Sequence, residues 1–222
     1  MSPPSSVAVV TGVYGGYDPL RGLPADHGFD DAVVVTDDPS LCGDGWRVVV
    51  APRVGEHPRL AAKLPKMMPW LFTDCEAAVW VDASFEVLNG RLAALASMML
   101  GQHRMVVFRH PDDRGCYLRE ARFCQDWVKY RDWPLREQVR AYQAEGMPEG
   151  WGLFACGVVG WRVDAVSRMM GLRWWSENAR WSIQDQVSLP YLVWSSGWDV
   201  GLWPMHEFMN PVLRYHHHAR ED

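Results

Sequence analysis

Short runs of apolar, largely β-branched residues alternate along this chain with longer stretches that are apolar at helical spacing. Val7–Val10, Ala32–Thr36, Trp46–Ala51, Ala77–Asp82 and Met105–Phe108 have the composition and length of strands, each closed by glycine, proline or acidic residues. Between them, Arg59–Phe72 and Gly90–Leu100 have the apolar spacing of helices. Pro58 is suited to a helix start, and Pro65 and Pro69 are expected to break or kink the first helix. Further on, Arg114–Tyr130 and Leu135–Ala144 are predicted helical, and Gly152–Trp161 has the pattern of a central strand. Helices are predicted again near Val163–Leu172 and Ile183–Trp194, then a last strand after Trp198. Strands alternating with helices predict a mainly parallel central sheet with helices on both faces: one Rossmann-like α/β domain. Such sheets bind ligands at the carboxyl ends of their strands, which directs attention to the loops after Val10, Thr36, Asp82 and Trp161.

Residues 1–6 are expected to be a disordered start, 7–205 the domain, and 206–222 a histidine-rich tail. The start lacks the basic and apolar regions of a signal peptide, and no apolar run reaches the roughly 20 residues of a membrane span. A cytoplasmic protein without a membrane partner is the expectation. A net charge of −5 disfavours bulk electrostatic binding of nucleic acid, but leaves a local basic groove open. Five cysteines without a C-x-x-C pair fit neither a disulfide framework nor a zinc knuckle, and there is no H-E-x-x-H or G-x-S-x-G. Of 13 tryptophans, 10 lie at or after Trp127, a bias that fits either core filling or an aromatic stacking surface in that half.

Candidate chemistry lies in five segments. Thr11-Gly-Val-Tyr14-Gly-Gly-Tyr17-Asp18 is a glycine-bearing loop after the first strand, where backbone can approach a ligand and a tyrosine can stack on a base. Arg59, Lys63 and Lys66 fall at i, i+4 and i+7, three cations on one helical face, as a diphosphate requires. In Val79-Trp-Val-Asp82-Ala-Ser84-Phe-Glu86, an acid ends an apolar strand. If the strand continues, Asp82, Ser84 and Glu86 share one face and could hold Mg²⁺ or Mn²⁺. Ser182-x-x-Asp185 reads equally as a capping box or as the presentation of Asp185 and Gln186 to a substrate. His206 could complete a metal shell, whereas at least two of His216, His217 and His218 are expected to be solvated.

The ordered motifs Thr11-Gly-x-Tyr14-Gly-x-Tyr17-Asp18, Val34-Val-Thr36-Asp37-Asp38, Pro58-Arg59-x3-Lys63-x2-Lys66, Trp80-x-Asp82-Ala83, His110-Pro111-x4-Cys116-x3-Glu120 and Trp175-x-Glu177…Asp185-Gln186-x-Ser188 resemble a glycosyltransferase-like family of GT-A architecture, long labelled a domain of unknown function. The resemblance implies a nucleotide-diphosphate sugar donor, usually a UDP-sugar, and a divalent cation (Mn²⁺ or Mg²⁺). It assigns Tyr14, Tyr17 and Asp18 to the nucleotide, Arg59, Lys63 and Lys66 to the diphosphate, and Asp82 to the metal; Thr11 is a further candidate at the nucleotide, and Ser84 and His206 are further candidates at the metal. Ser84 stands where the family has a second acid, which leaves either a weaker metal site or metal-independent work by the three cations. Asp185-Gln186 resembles the Asp-Gln pair of retaining hexosyltransferases, and Glu177 or Asp185 is the candidate base or cation stabiliser. The acceptor is a glycan, protein or small molecule. The alternatives are a hydroxymethylated base in DNA, given nine basic against six acidic residues over Arg104–Arg140, and a noncatalytic sugar-nucleotide or carbohydrate-binding module. Oligomeric state is not legible.

Overall fold

A computed structural model describes residues 1–55, 57–111 and 115–217. Arg114, His218 and the rest of the tail beyond it therefore lie outside the described residues. Seven strands form one sheet: β1 (Val7–Val13), β2 (Asp31–Thr36), β3 (Arg47–Val50), β4 (Ala77–Val81), β6 (Met105–Arg109), β7 (Phe154–Arg162) and β8 (Gly201–Leu202). They lie in the order β3-β2-β1-β4-β7-β6-β8. All neighbours are parallel except β7, which runs against both β4 and β6. A separate pair, β5 (Phe85–Val87) and β9 (Leu213–Tyr215), is antiparallel.

The reversal of β7 corrects one expectation. The loop after Trp161 belongs to the opposite end of the sheet, where Val163 N donates to Glu76 O. The beginning of β7 instead lies beside the end of β4, where Asp82 N donates to Gly157 O at 2.8 Å.

Strand alternation divides the core. Val7 and Val9 face α2 (Arg91–Leu100), which contributes Leu92, Ala93, Ala96 and Leu100. Ala8 and Val10 face α1 (Pro58–Met67), α5 (Ala165–Arg180) and α6 (Asp185–Ser196), through Ala61, Met67, Met170, Trp174 and Leu189. A third cluster joins α3 (Tyr117–Gln125) and α4 (Leu135–Ala144) to Val187 of α6. Burying two sheet faces is what lets 222 residues sustain a single large core.

Helix α1 is the element that places the cations. Pro58 opens it, and the His57 side chain caps it by accepting from Arg59 N. Pro65 lies inside its last turn without breaking it, whereas Pro69 starts the 3-10 turn Pro69–Leu71. The helix ends at Met67, so the Lys66 carbonyl needs another donor, and buried Trp161 supplies its indole N–H at 2.9 Å. Gly171 of α5 seats this end. A Cβ there would meet Met67 O at 2.1 Å and the Trp70 ring at 2.4 Å.

Two boundaries differ from the sequence expectation. β4 stops at Val81, and Phe85 N donates to Asp82 O at 2.8 Å, so residues 82–84 form a turn rather than a continued strand. Glu86 consequently faces His216 and Arg214 at 2.9 and 3.2 Å. No capping box forms at Ser182, because α6 starts at Asp185 with Gln184 as its N-cap. Ser182 Oγ instead donates to Gln138. Met1–Ser6 runs against the domain, with Ser5 N donating to Glu76, and His217 packs edge-on to Tyr215. Among the described residues, no helix is long and apolar enough to cross a membrane.

Candidate active site

A cleft of about 210 Å³ opens at the carboxyl ends of β1 and β4. Its walls include Tyr14, Tyr17 and Asp18 from the first loop, Arg59, Lys63 and Lys66 from α1, Asp82 after β4, Lys129 and Tyr130, and Asp185 and Gln186 at the start of α6. The first loop bends through Gly15 and Gly16, both in the left-handed region at φ 63° and 62°, a conformation that favours glycine. Asp37 at the end of β2 fixes the loop by accepting from Gly15 N at 3.0 Å while it pairs with Arg53. The Arg59 guanidinium lies 4.1 Å over the Tyr17 ring.

The centre of the cleft is an ion network. Asp185 is 4% exposed and accepts from both Lys63 Nζ and Lys66 Nζ at 2.5 Å. Lys66, at 1% exposure, also faces Asp82 at 3.4 Å, and the Trp80 indole N–H donates to Asp82 at 2.5 Å. Burial alone would raise the Asp185 pKa, but the Lys63 and Lys66 ammonium groups overcome it and hold it at about 2. Burial likewise opposes charge on Lys66, and Asp185 and Asp82 reverse that, so its pKa is raised. Lys129 is a fourth cation, lying over the Trp127 and Tyr130 rings at 4.8 and 5.0 Å. Its pKa is lowered by burial and then by repulsion from Arg59.

Most expected residues meet here, and some do not. Tyr14 lines the cleft, but its ring is 3% exposed, so it is wall rather than stacking face. Burial, with Asp37 nearby, pushes its hydroxyl up to about 12. Thr11 is buried on the other side of the sheet from Gly12, because successive strand residues alternate. It does not reach the cleft. Glu177 is outside as well, on α5, where it accepts from Tyr142 Oη at 2.9 Å as a brace between helices. His206 is exposed and lines neither the cleft nor the cavity beside it, and Ser84 is 3% exposed and faces that second cavity.

These placements bear on the metal. Asp82 and Ser84 line one cavity, but His206 does not join them, and among the described residues no group of three His, Cys, Asp or Glu could hold an ion. The one carboxylate at the strand end already faces a lysine ammonium and an indole N–H. Both contacts are to Asp82 Oδ1 on a side chain that is 36% exposed, so this turn offers a divalent cation one carboxylate, too few oxygen ligands to hold it without those of a bound donor.

Sequence reasoning missed Lys129 and Tyr130, which reach the cleft from a 3-10 turn (Val128–Tyr130). The excess of basic over acidic residues across Arg104–Arg140 was the only signal for Lys129.

The sheet order, the single reversed strand and a cation-lined cleft at the end of β4 define the GT-A class of glycosyltransferase fold. The structure is similar to that of galactosyltransferase LgtC, solved with donor and acceptor sugar analogues. The TM-score is 0.52 over 95% of this chain and 87% of that one, at 13% identity. It is also similar to the apo bifunctional glycosyltransferase WbbM, with TM-score 0.46 and 14% identity over 92% of this chain and 39% of that one. No curated protein sequence matches the chain. Residues 26–217 match the model of the TOD1/MUCI70, glycosyltransferase-like domain family, and the chain belongs to that family.

Proposed function

We propose that this domain transfers a sugar from a nucleotide-diphosphate sugar, with UDP as the first nucleotide to test, to an acceptor hydroxyl. One observation carries the reading: Arg59, Lys63, Lys66 and Lys129 converge on one cleft at the carboxyl end of β4. Four cations face three carboxylates there (Asp18, Asp82 and Asp185), an excess of positive charge suited to a diphosphate. Tyr17, half-buried beneath Arg59, offers a ring edge to the nucleotide.

In the reaction, the bond from the anomeric carbon to the diphosphate oxygen breaks and the acceptor oxygen bonds to that carbon. Negative charge grows on the departing diphosphate, and the lysines stabilise it where it grows. Asp185, ionised down to about pH 2, is a poor proton acceptor. Its role is to fix both lysines and to present negative charge beneath a cationic sugar centre. The acceptor's proton leaves with an oxygen of the diphosphate.

The test is calorimetric binding of UDP, together with UDP release from a panel of UDP-sugars, each with and without EDTA. UDP binding that survives EDTA, together with UDP release that Lys66→Met abolishes, is expected. A folded protein that neither binds UDP at millimolar concentration nor releases it from any donor would overturn the reading.

A further inference from the structure

Thirteen large apolar side chains are exposed among the described residues, and five of them gather at one place. Phe123, Trp127 and Phe208, 43–46% exposed, line the second cavity, and Val128 (58%) and Met209 (73%) follow Trp127 and Phe208 in the chain. They come from two separate segments. The first is the end of α3 and the 3-10 turn after it, where the Phe123 and Trp127 rings pack at 5.5 Å and no residue of the turn is buried. The second is the loop between β8 and β9. The Asn210 side chain closes it, donating to the carbonyls of His206 and Glu207 and accepting from Val212 N and Leu213 N. Phe208 is braced on the Phe85 and Tyr215 rings at 6.1 and 4.9 Å, so the pair Phe208-Met209 is held in solvent at the tip of a closed loop. Folding gains nothing from apolar groups displayed on two braced segments beside one opening, so together they mark a contact surface.

The charge around them is positive. Arg119 and Arg122 share the exposed face of α3 with Phe123, and Arg131 follows the turn. None of these three arginines has an ion pair among the described residues, and exposed Asp126 and Asp132 offset them only in part. Over residues 115–140, which form α3, the turn and α4, six basic against four acidic residues leave a charge of +2. The whole chain is at −5, so the remainder carries −7.

We propose that this rim seats the protein on an anionic lipid surface. The Trp127-Val128 turn and the Phe208-Met209 tip enter the headgroup layer, and the arginines face lipid phosphates. Aromatic and aliphatic tips with arginines alongside are the composition of interfacial anchors, and such a contact needs no membrane-spanning helix. The two most exposed of the five, Val128 and Met209, have no π face for a nucleobase, which disfavours a nucleic acid strand. A symmetric pair of chains would set the same positive patch against itself, which disfavours a second copy. Because Trp127 and Phe208 line the second cavity, docking brings the mouth of that cavity against the lipid. The contact is separate from the donor reading, and its test measures binding alone.

The experiment is flotation of the intact protein with vesicles of phosphatidylcholine alone and of phosphatidylcholine with about one third phosphatidylglycerol. Binding about ten-fold or more tighter to the anionic vesicles is expected, falling at least about five-fold in roughly 0.5 M salt, where surface charges are screened. Val128→Glu combined with Met209→Glu should abolish that binding, and Arg119→Glu combined with Arg122→Glu should remove the preference for anionic lipid. An unchanged Tm shows that each pair still folds. Vesicles with brominated acyl chains should quench the tryptophan fluorescence of the wild type and quench Trp127→Phe markedly less. Equal binding to both vesicles, binding to neither, or binding that the two glutamates leave intact overturns the proposal. So does a dimer formed without lipid that the same two glutamates dissociate, or tighter retention of single-stranded DNA than of the anionic vesicles.

Discussion

The most exposing perturbation is a double-mutant cycle across Lys66 and Asp185. These two meet at 2.5 Å with exposures of 1% and 4%. At an effective dielectric of 20, such a pair has a gross attraction of roughly 7 kcal/mol. Desolvating each ion opposes that by several kcal/mol, so the gross figure is not the worth of the bridge. Lys66→Met keeps the length of the side chain and removes the charge; Asp185→Asn keeps the shape. Removing one partner of a buried pair costs about 3–5 kcal/mol when the other is left alone. Neither is left alone here, since Asp185 keeps Lys63 and Lys66 keeps Asp82. Each single variant should therefore lose roughly 2 kcal/mol, which for a chain of this size is a fall in Tm of about 4–8 °C. The double variant should lose less than the sum, with a coupling of about 1–2 kcal/mol. Urea unfolding of all four proteins at neutral pH measures it. Singles within about 0.5 kcal/mol of the wild type, or strict additivity, would refute the network as the organiser of the cleft.

Three more outcomes follow from the same geometry. Lys129→Met should weaken UDP about three- to ten-fold by calorimetry, a loss that shrinks in high salt because the lysine is half-buried and screened. Gly171→Ala should destabilise the protein by about 1–3 kcal/mol in thermal unfolding, although alanine is the better helix former, because the new Cβ would collide with the end of α1. Asp185 has its pKa depressed to about 2, so the stability it contributes is complete above its unfolded value near 4 and is lost as pH falls from about 4 to 2. Compared with wild type, Asp185→Asn should therefore show a flatter decline in stability across that interval.

How much of this was legible in the sequence depends on the range of each relation. The stripe Arg59, Lys63, Lys66 is local, fixed by helical spacing within one element, and all three residues line the cleft. Asp82 was readable because the end of a buried strand is a position within the chain. Thr11 could have been read correctly from the same alternation, since it shares a parity with Val7 and Val9, which face α2. The direction of β7 was not readable, because an apolar run carries no arrow, and that error misplaced the loop after Trp161. Lys129 lies 63 positions after Lys66, and only the packing of α3 and α4 on α6 brings it to the same cleft. Glu177 shows the converse: motif order brought it near Asp185 in sequence, while its helix turns it toward Tyr142.

Ser84 takes on a different meaning beside Lys66. A second carboxylate at the end of β4 would add negative charge next to Asp82, which needs a cation to balance it. Here the balancing cation is covalently part of α1, buried and 3.4 Å from Asp82. A serine in the turn after β4 is then consistent with the lysine, not a defect in the site.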